Sequence, residues 1–419
     1  MDKAKSYQIS KHVFMEAYKR VKANGGAPGI DGQTIEMFEK DLENNLYKIW
    51  NRMSSGSYFP PAVKAVEIPK ADGKMRKLGI PTVSDRIAQM VTKIYLEPLI
   101  EPHFHKDSYG YRPNKGCLDA VGVTRGRCWK YDWLIDIDIK GFFDNLDHEL
   151  MMKAVKKHTQ EPWIILYVQR WLQAPIKDVD GSLVERGQGT PQGGVISPLC
   201  ANLFLHYAFD EWMKRKFPYN PFARYADDIV VHCKTKEEAE ELKEEIKKRL
   251  LECKLELHPE KTKIVYCKDS NRRGSSEHEK FDFLGYTFRP RSSRNRNGKL
   301  FTNFTPAMSE KAQTRSKGVV KSWLKEVKPT KFLKDLAKLA NPVINGWINY
   351  FGKFNAAEMW SLINYIEISL MRWGIKKYDK LKNSFRKAKG WLERIKRRHP
   401  NFFAHWKWMS RHDSSGRAV

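Results

Sequence analysis

The sequence predicts an α+β protein in which short strands alternate with helices, followed by a basic region built from helices alone. Apolar residues alternate along 133–139, and a β-branched run follows an acidic pair within 222–231, so both stretches predict strands. The charged stretch 236–253 places Glu and Lys three or four positions apart, which is the spacing of neighbours on a helix surface. Beyond about residue 300, apolar residues recur at helical spacing, as in the stretch 332–340.

Two helices and a hairpin are predicted before the first of these strands. Apolar residues at helical spacing indicate a helix that ends at Asn24-Gly25-Gly26, and a second helix covers about 34–53. Residues 66–81 then predict a β-hairpin with Asp72-Gly73 at its turn. The hairpin is rich in Lys and Arg. These cations either close over an anionic ligand or form an ordinary solvated surface.

The acidic pair Asp227-Asp228 lies between two apolar runs, which predicts a tight turn with two carboxylates at its tip. Adjacent carboxylates repel each other, so such a pair is unfavourable unless a cation lies beside it. Hard cations such as Mg²⁺ take oxygen ligands, often one or two carboxylates together with substrate phosphates. A polar hairpin turn without a ligand is the alternative interpretation of these two residues taken alone.

The strand at 133–139 supplies further carboxylates, because Asp136 and Asp138 share one of its faces. A carboxylate from this second strand would complete a two-metal site, in which the ions lie roughly 3.5–4 Å apart on either side of a transferred phosphoryl group. One ion would activate a primer hydroxyl, and the other would neutralise charge on the leaving pyrophosphate.

A glycine-rich stretch, Gly187–Leu199, lies between the acidic strand and the acidic pair. Glycine next to proline allows the backbone to approach a ligand closely, and Gln192 between them can hydrogen-bond a nucleotide. Glycine-rich loops are common, so the stretch taken alone is weak evidence. Its specificity comes from the order Thr-Pro-Gln-Gly-Gly, then Ser-Pro, at this place in the chain.

The composition favours a polyanionic partner. The formal net charge is +27, and residues 301–419 hold 25 Lys and Arg against 8 Asp and Glu, together with 7 of the 13 Trp. Basic and aromatic side chains together suit phosphate contact and base stacking. The six Cys form no CxxC pair, so neither a zinc ribbon nor a redox motif is supported. With no apolar run of membrane-spanning length, we expect a cytoplasmic protein with reduced thiols and no membrane partner.

The ordered motifs resemble those of bacterial group II intron-encoded reverse transcriptases and maturases. Tyr225–Asp228 resembles the YADD box of that family, and Asp138–Phe143 resembles its first acidic box. This resemblance implies that Asp138, Asp227 and Asp228 are the catalytic carboxylates, and that the metal site also includes Ile139. It implies that Phe143 is the steric gate that rejects a nucleotide 2′-hydroxyl. A core aromatic residue is the alternative role for Phe143.

The resemblance also assigns nucleotide and primer contacts. Lys70 and Arg76 of the hairpin would contact the triphosphate, and Arg112 in the loop Asp107–Asn114 would support the template and the incoming base. Gln192 would line the nucleotide pocket. The family motif that grips the primer near its 3′ end is matched by four residues: Phe283, Leu284, Gly285 and Tyr286.

The C-terminal region resembles the thumb or maturase-specific domain of the same family. The pattern NPxIxGWxNYF at 341–351 carries this likeness. Two basic clusters follow, and both suit RNA binding or, as the alternative, form solvated helix faces; their residues are Arg372, Lys376, Lys377, Arg394, Lys396, Arg397 and Arg398. Residues 399–406 resemble the usual end of short family members, which lack the endonuclease domain of the long ones.

These likenesses imply a right-hand polymerase with fingers, an antiparallel palm sheet and an all-α thumb. The expected divisions are an N-terminal extension over 1–60, fingers and palm over 61–290, and thumb, maturase domain and basic tail over 300–419. The expected cofactors are two Mg²⁺ ions, with dNTP substrates. The expected partners are the group II intron RNA, an RNA template with a DNA primer, and target DNA. A non-catalytic splicing factor and a reverse transcriptase recruited to defence or repair remain the alternatives.

Overall fold

A computed structural model describes residues 6–69, 75–295, 297–326 and 332–412. The chain divides into two compact units, and each is described by itself. Unit 1 comprises residues 1–120 and 135–263, and unit 2 comprises residues 121–134 and 264–419. The mixed α+β architecture with a helical C-terminal region confirms the fold class predicted from the sequence.

The elements follow one another in a regular order. Helices and strands of the first half are α1 Lys11–Asn24, α2 Ile35–Glu39, α3 Leu42–Ser54, β1 Val63–Pro69, β2 Met75–Ile80, α4 Val83–Ile100, α5 Cys117–Cys128, β3 Trp133–Ile137, α6 His148–His158, α7 Pro162–Gln173, β4 Ile176–Lys177, β5 Leu183–Val184, α8 Ser197–Leu205 and α9 Glu211–Lys216. Those of the second half are β6 Phe222–Tyr225, β7 Asp228–Cys233, α10 Lys236–Glu252, β8 Lys263–Tyr266, β9 Phe281–Phe283, β10 Tyr286–Arg294, β11 Leu300–Met308, α11 Glu310–Glu326, α12 Leu333–Phe351, α13 Trp360–Lys377, α14 Phe385–Arg398 and α15 Ala404–His412.

Two four-stranded sheets carry the sequence motifs. The first has the order β2-β1-β4-β5, with β1 and β2 antiparallel and Ile68 paired to Arg76. The second has the order β6-β7-β3-β8, and the antiparallel β6–β7 pair forms the predicted acidic hairpin. The turn at Asp72-Gly73 and the side chain of Lys70 lie outside the described residues.

The N-terminal helices differ in one respect from the prediction. The segment predicted as one helix over 34–53 forms two, α2 and α3, which are separated at Lys40-Asp41. Arg86 of α4 binds the loop between α1 and α2. Its guanidinium donates to the carbonyls of Gly25 at 2.9 Å and Ala27 at 3.0 Å. These bonds satisfy loop carbonyls that have no helical partner.

Unit 2 contains a β-hairpin where the sequence predicted a domain boundary. Residues 286–294 of β10 pair with 300–308 of β11 in one antiparallel register. In the outer half of this hairpin Arg289, Ser292 and Arg294 are exposed, whereas the side chain of Arg291 is only 8% exposed. The predicted boundary at 289–298 therefore falls inside a hairpin.

The helices of unit 2 pack around an aromatic and aliphatic core. Its most buried members include Met359, Leu362, Ile363, Phe403 and Trp406. Helix α12 continues through Asn341-Pro342, although proline is unfavourable inside a helix. Its packing offsets the roughly 3 kcal/mol that an interior proline costs. Asn341 adds to this packing, because its amide donates to the carbonyl of Phe402 at 2.9 Å and its oxygen accepts from the amide of Ala404 at 2.9 Å.

Among the residues that the structure describes, no helix combines the length and the apolar character needed to cross a bilayer.

Candidate active site

The acidic pair lies at a two-residue turn between β6 and β7. Tyr225 pairs with Asp228 across the hairpin, so Ala226 and Asp227 form the turn itself. Ala226 adopts a positive φ of 57°, in the left-handed region that a residue with a Cβ enters at a steric penalty. Asp227 thus projects from a strained turn, and Asp228 begins the following strand. The strand–turn–strand prediction for this segment is confirmed.

Asp138 lies directly after the end of β3, and its backbone is tied to the segment 257–262. The amide of His258 donates to the carbonyl of Asp138 at 2.8 Å, and Ile139 forms an isolated bridge with Leu257. The carboxylate of Asp138 is 42% exposed and lies 3.8 Å from Nζ of Lys261. Asp138 is thereby held by its backbone, while its side chain stays accessible to a ligand.

Electrostatics connect Asp138 with the acidic turn. Burial raises the pKa of the Asp227 carboxyl, and the charge of Asp138 raises this pKa further. The positive charges of Arg76 and Arg224 act in the opposite direction. The structure therefore brings one carboxylate from each acidic motif and the hairpin arginine into one electrostatic neighbourhood.

The residues present suit a hard cation in chemical type. Carboxylate oxygens are the ligands that Mg²⁺ prefers. Burial raises the pKa of the Asp227 carboxyl and the charge of Asp138 raises it further, so a cation beside this carboxyl would favour its ionised form. The described part of the chain contains no group of three or more His, Cys, Asp or Glu side chains already arranged as a metal site. The set Asp138, Ile139, Asp227 and Asp228 stays a prediction.

We expect Asp227→Asn to raise the melting temperature measured without divalent metal at neutral pH. Because the folded state raises the pKa of Asp227, it binds this proton more tightly than the unfolded chain does. Stability therefore falls as the pH rises from the ordinary carboxyl pKa through the raised one, and the amide escapes this loss. We expect a gain of about 2–4 °C, which corresponds to about 1 kcal/mol.

Differential scanning fluorimetry in EDTA across acidic and neutral pH checks this expectation. The gain should disappear at a pH below the ordinary carboxyl pKa, where the wild-type side chain is protonated in both states. Glu240→Gln is the control, because it removes a carboxylate that is 55% exposed on α10. Equal melting temperatures for wild type and Asp227→Asn at neutral pH would contradict the burial argument.

The glycine-rich stretch is bound to the backbone that carries Phe143. The amide of Thr190 donates to the carbonyl of Phe143 at 2.7 Å, and the amide of Gly189 donates to that of Leu146 at 2.7 Å. Gly189 has a φ of 79°, and a Cβ there would lie 2.6 Å from the carbonyl oxygen of Asp144. Only glycine permits this contact. Phe143 is 8% exposed, and the centre of its ring lies 5.3 Å from that of Phe142.

Gln192 and Arg76, which are distant in sequence, meet in the structure. The guanidinium Nε of Arg76 donates to Oε1 of Gln192, and the amide of Gly79 donates to the carbonyl of Gln192 at 2.8 Å. A Cβ on Gly193 would lie 2.4 Å from the carbonyl oxygen of Gly79, so the strand and the glycine-rich stretch are in close backbone contact. Two of the predicted nucleotide contacts therefore lie side by side.

Arg112 is engaged within the protein. Its guanidinium contacts the carboxylate of Glu101 at 2.7–3.1 Å and donates to the carbonyls of His105 and Ser108 at 2.7 Å each. The side chain is 6% exposed. The buried guanidinium of Arg112 therefore stabilises the conformation of the loop Asp107–Asn114.

The sequence analysis did not identify one pair of residues near the site, Asp85 and Gln89. Gln89 of α4 accepts at Oε1 from the amides of Val195 at 2.7 Å and Ile196 at 3.2 Å, and so holds the end of the glycine-rich stretch. Its amide nitrogen donates to the buried Asp85 at 2.9 Å. Asp85 and Gln89 are four residues apart on α4. A polar pair on an otherwise apolar helical face is the signal that could have identified them.

The FLGY segment in unit 2 forms a strained turn. Leu284 and Gly285 have φ values of 51° and 79°. The hydroxyl of Tyr286 donates to the carbonyl of Tyr350 on α12, and the hydroxyl of Tyr350 donates in return to the carbonyl of Leu284 at 2.7 Å. This reciprocal pair fixes the turn against the helix, while Phe283 and Tyr286 are fully buried.

The two predicted basic clusters lie on packed helices of unit 2. A Cβ on Gly374 of α13 would come within 2.6 Å of the Trp391 ring on α14, so the helices touch closely there. The clusters begin within a few residues of this contact. Five of the seven side chains are exposed, whereas two are half-buried, namely Lys377 and Lys396. The five exposed ones are Arg372, Lys376, Arg394, Arg397 and Arg398.

Comparison with known proteins identifies the family. The reverse transcriptase (RNA-dependent DNA polymerase) family model matches residues 68–288, which is more than half of the chain. The model of the group II intron maturase-specific domain matches residues 313–391. The chain belongs to the group II intron reverse transcriptase/maturase family. The resemblance stated from the motifs is thus confirmed.

Individual relatives agree with this assignment. Protein YkfC of Escherichia coli strain K12 is 32% identical, over 67% of this chain and 81% of YkfC. The group II intron-encoded protein LtrA of Lactococcus lactis subsp. cremoris is 27% identical, over 68% of this chain and 56% of LtrA. Nuclear intron maturase 4, mitochondrial, of Arabidopsis thaliana is 24% identical, over 41% of this chain and 21% of that protein. The matched region therefore spans little more than half the length of LtrA.

Proposed function

We propose that this reverse transcriptase-family chain is an RNA-directed DNA polymerase that also binds a group II intron RNA and supports its splicing and mobility. The observation that carries the polymerase proposal is the placement of β3, which ends just before Asp138, in one sheet with the β6–β7 hairpin; the charges of Asp138 and Arg76 both act on Asp227. These residues come from three separate motifs within the region that the reverse transcriptase family model matches.

In the proposed polymerase site Asp138, Asp227 and Asp228 would hold Mg²⁺, with Ile139 beside them. When bound, two such ions supply Lewis-acid stabilisation to the attacking and leaving oxygens. The three carboxylates would present their oxygens to the cations. The positive charge of Arg76 offsets negative charge on the triphosphate. The reaction joins the primer 3′-hydroxyl oxygen to the α-phosphate of a dNTP, and pyrophosphate leaves.

The nucleotide side of the site is assigned to Arg76, Gln192 and Phe143, together with Lys70. Arg76 and Gln192 bind each other across the edge of the glycine-rich stretch, and both are polar groups that can exchange this contact for a nucleotide. We assign Arg112 a supporting role, because its donors are committed to the loop Asp107–Asn114 and to Glu101. Its proposed effect on template and base is therefore through the loop.

We expect Phe143→Ala to raise ribonucleotide incorporation relative to deoxyribonucleotide incorporation. Truncating the ring opens space for a 2′-hydroxyl. A single pocket contact gives roughly 10- to 200-fold discrimination, which sets the expected scale of the loss. Single-nucleotide extension with matched dNTP and rNTP measures the ratio of kcat/KM values.

Phe142→Ala is the matched control, because Phe142 is 2% exposed and its ring packs 5.3 Å from that of Phe143. It removes an aromatic ring from the same segment and should lower stability without changing the sugar preference. An unchanged dNTP/rNTP ratio in Phe143→Ala would assign Phe143 to the core alone.

The RNA-binding part of the proposal rests on unit 2. It combines the match to the group II intron maturase-specific domain with the five exposed cations of the predicted clusters on helices α13 and α14. We propose that these helices bind intron RNA and that the turn Phe283–Tyr286 grips the primer. We also propose the division into an extension over 1–60, polymerase over 61–290 and maturase domain over 300–419, with the β10–β11 hairpin joining the last two. The proposed partners are an RNA template, a DNA primer and target DNA.

Two experiments test the proposal. Purified protein should extend a DNA primer on an RNA template with Mg²⁺ and dNTPs, and a protein that aids splicing without extension would instead be a splicing factor. RNA that copurifies from native cells should contain one dominant structured intron flanking the gene's own reading frame. A mixed RNA pool or a small non-intron RNA would favour a polymerase recruited to defence or repair.

A further inference from the structure

A fully buried ion pair lies directly behind the acidic turn of unit 1. The guanidinium of Arg224 on β6 donates to the carboxylate of Asp210 at 2.7 and 2.5 Å, and both side chains are 0% exposed. Removing two charges from water is unfavourable, and well-packed apolar side chains of similar volume often serve a core equally well. A buried pair is therefore weak evidence for stabilisation, and its remaining contacts indicate its role.

The remaining donor bonds of Arg224 reach the turn that carries Asp227. Its Nη1 donates to the backbone carbonyl of Ala226 at 3.1 Å and to Oδ1 of Asn202 at 2.9 Å. Ala226 is the residue with a φ of 57°, which the surrounding structure must hold in place. The bond from Arg224 lies at the centre of this strained turn, one residue before Asp227.

The same residues attach the loop Asp107–Asn114 to the turn. The side-chain amide of Asn202 donates to the carbonyl of Gly110 at 2.6 Å. The backbone amide of Tyr109 donates to the carbonyl of Arg224 at 2.8 Å. A Cβ on Gly110 would lie 2.4 Å from the backbone nitrogen of Ala226, so loop and turn are in direct backbone contact. Arg224 and Asn202 thus connect the loop with the acidic turn.

A local irregularity in the helix accommodates the acidic partner. Residues 206–210 form a single π-helical turn between α8 and α9, and Asp210 is its last residue. The carbonyls of Tyr207 and Ala208 in this turn accept from Arg249 of α10 at 3.1 Å each. Such turns occur frequently at functional sites, where they re-aim a side chain within a helix. Here the turn ends on the carboxylate that holds Arg224.

We propose that Arg224, Asp210 and Asn202 are positioning residues that hold Asp227 in its metal-binding position and fix the loop Asp107–Asn114 to it. This inference rests on the proposed polymerase function and deepens it. The Arg224–Asp210 pair acts through the backbone of Ala226. It therefore affects the position of Asp227 and does not contact the reacting atoms. The buried charges are retained because no apolar replacement donates to the Ala226 carbonyl.

The double variant Asp210→Leu/Arg224→Met tests the proposal. Replacing both partners by apolar residues leaves no unpaired buried charge, so the fold should stay close to wild type in stability. We expect the single-turnover rate of nucleotide addition to fall by at least about tenfold and the Mg²⁺ concentration for half-maximal rate to rise severalfold. Each tenfold loss corresponds to about 1.4 kcal/mol. A rate and Mg²⁺ dependence within about twofold of wild type would overturn the proposal.

A metal titration that does not depend on activity accompanies this assay. The melting temperature of wild type should rise with Mg²⁺ or Mn²⁺, and the double variant should need more metal for the same rise. Identical titrations would overturn the positioning role. If wild type extends no primer, the polymerase proposal fails, and the metal titration still decides whether the pair positions Asp227.

Two further variants separate positioning from general destabilisation. Asn202→Ala removes the bonds to Arg224 and Gly110 without leaving a charge unpaired, and should show the same signature to a smaller degree. Ile246→Ala makes a cavity at a fully buried position of α10 and removes none of these hydrogen bonds. It should lower stability while leaving the Mg²⁺ dependence unchanged. A shift in Mg²⁺ dependence as large in Ile246→Ala as in the double variant would overturn the proposal.

Discussion

Asp227→Ala is expected to abolish template-directed primer extension, lowering the single-turnover rate by at least about 10²–10³-fold. Loss of one preorganised contact to developing charge already costs this much in well-studied enzymes, and a metal carboxylate organises several such contacts. Asp227 is the best candidate for this effect, because it occupies the turn itself and its pKa responds to both Asp138 and Arg76. Rapid-quench measurement of a single dNTP addition at saturating Mg²⁺ gives the rate.

RNA binding separates loss of chemistry from loss of folding. Asp227→Ala should bind intron RNA as tightly as wild type, because the basic helices α13 and α14 belong to the other unit. Glu240→Gln removes an exposed carboxylate on α10 and should keep the full extension rate. Primer extension by Asp227→Ala at more than about a tenth of the wild-type rate would contradict the assignment of Asp227 as a metal ligand.

Neutralising the four exposed arginines of the predicted clusters on α13 and α14 is expected to weaken intron RNA binding on the order of 10²-fold and to flatten its salt dependence. The variant replaces four arginines with glutamine: Arg372, Arg394, Arg397 and Arg398. Each phosphate contact releases counterions, so losing four contacts should reduce the slope of log K against log salt by about 3. Filter binding across a range of KCl concentrations measures both quantities.

A set of four exposed lysines in unit 1 controls for net charge. Lys234, Lys236, Lys247 and Lys248 lie on or beside α10, and three of them are paired with glutamates of the same helix. Changing all four to glutamine alters the net charge by the same amount but should leave the salt slope nearly unchanged. Equal weakening by the two sets would show that overall charge, and no particular surface, accounts for RNA binding.

Local patterns in the sequence were sufficient where neighbouring residues decide the structure. The alternating strand before Asp138, the hairpin around Asp227 and the charged helix α10 all appear where the pattern predicts them. Each depends on periodicity or turn chemistry within about ten residues, and such signals do not require a partner from elsewhere in the chain. The family followed from the order of several such motifs.

Local patterns failed where distant contacts outweighed them. Helix α12 continues through Pro342 because its face is packed and Asn341 is bonded to residues 402 and 404, sixty residues later. The polar residues 289–294 pair with 300–305 as a hairpin, although their composition resembles a linker. In both cases tertiary hydrogen bonds and packing override a local preference of a few kcal/mol.

By itself, the sequence determined the chemistry of this protein: which carboxylates, cations and glycines are available, and in what order along the chain. The tertiary structure alone decided which of them meet. It placed Arg76 on Gln192, committed Arg112 to Glu101, and buried Arg224 with Asp210 behind the acidic turn. These outcomes depend on desolvation and on hydrogen bonds between segments far apart in the chain, and a buried charge is indistinguishable from a surface charge until its partner and its burial are known.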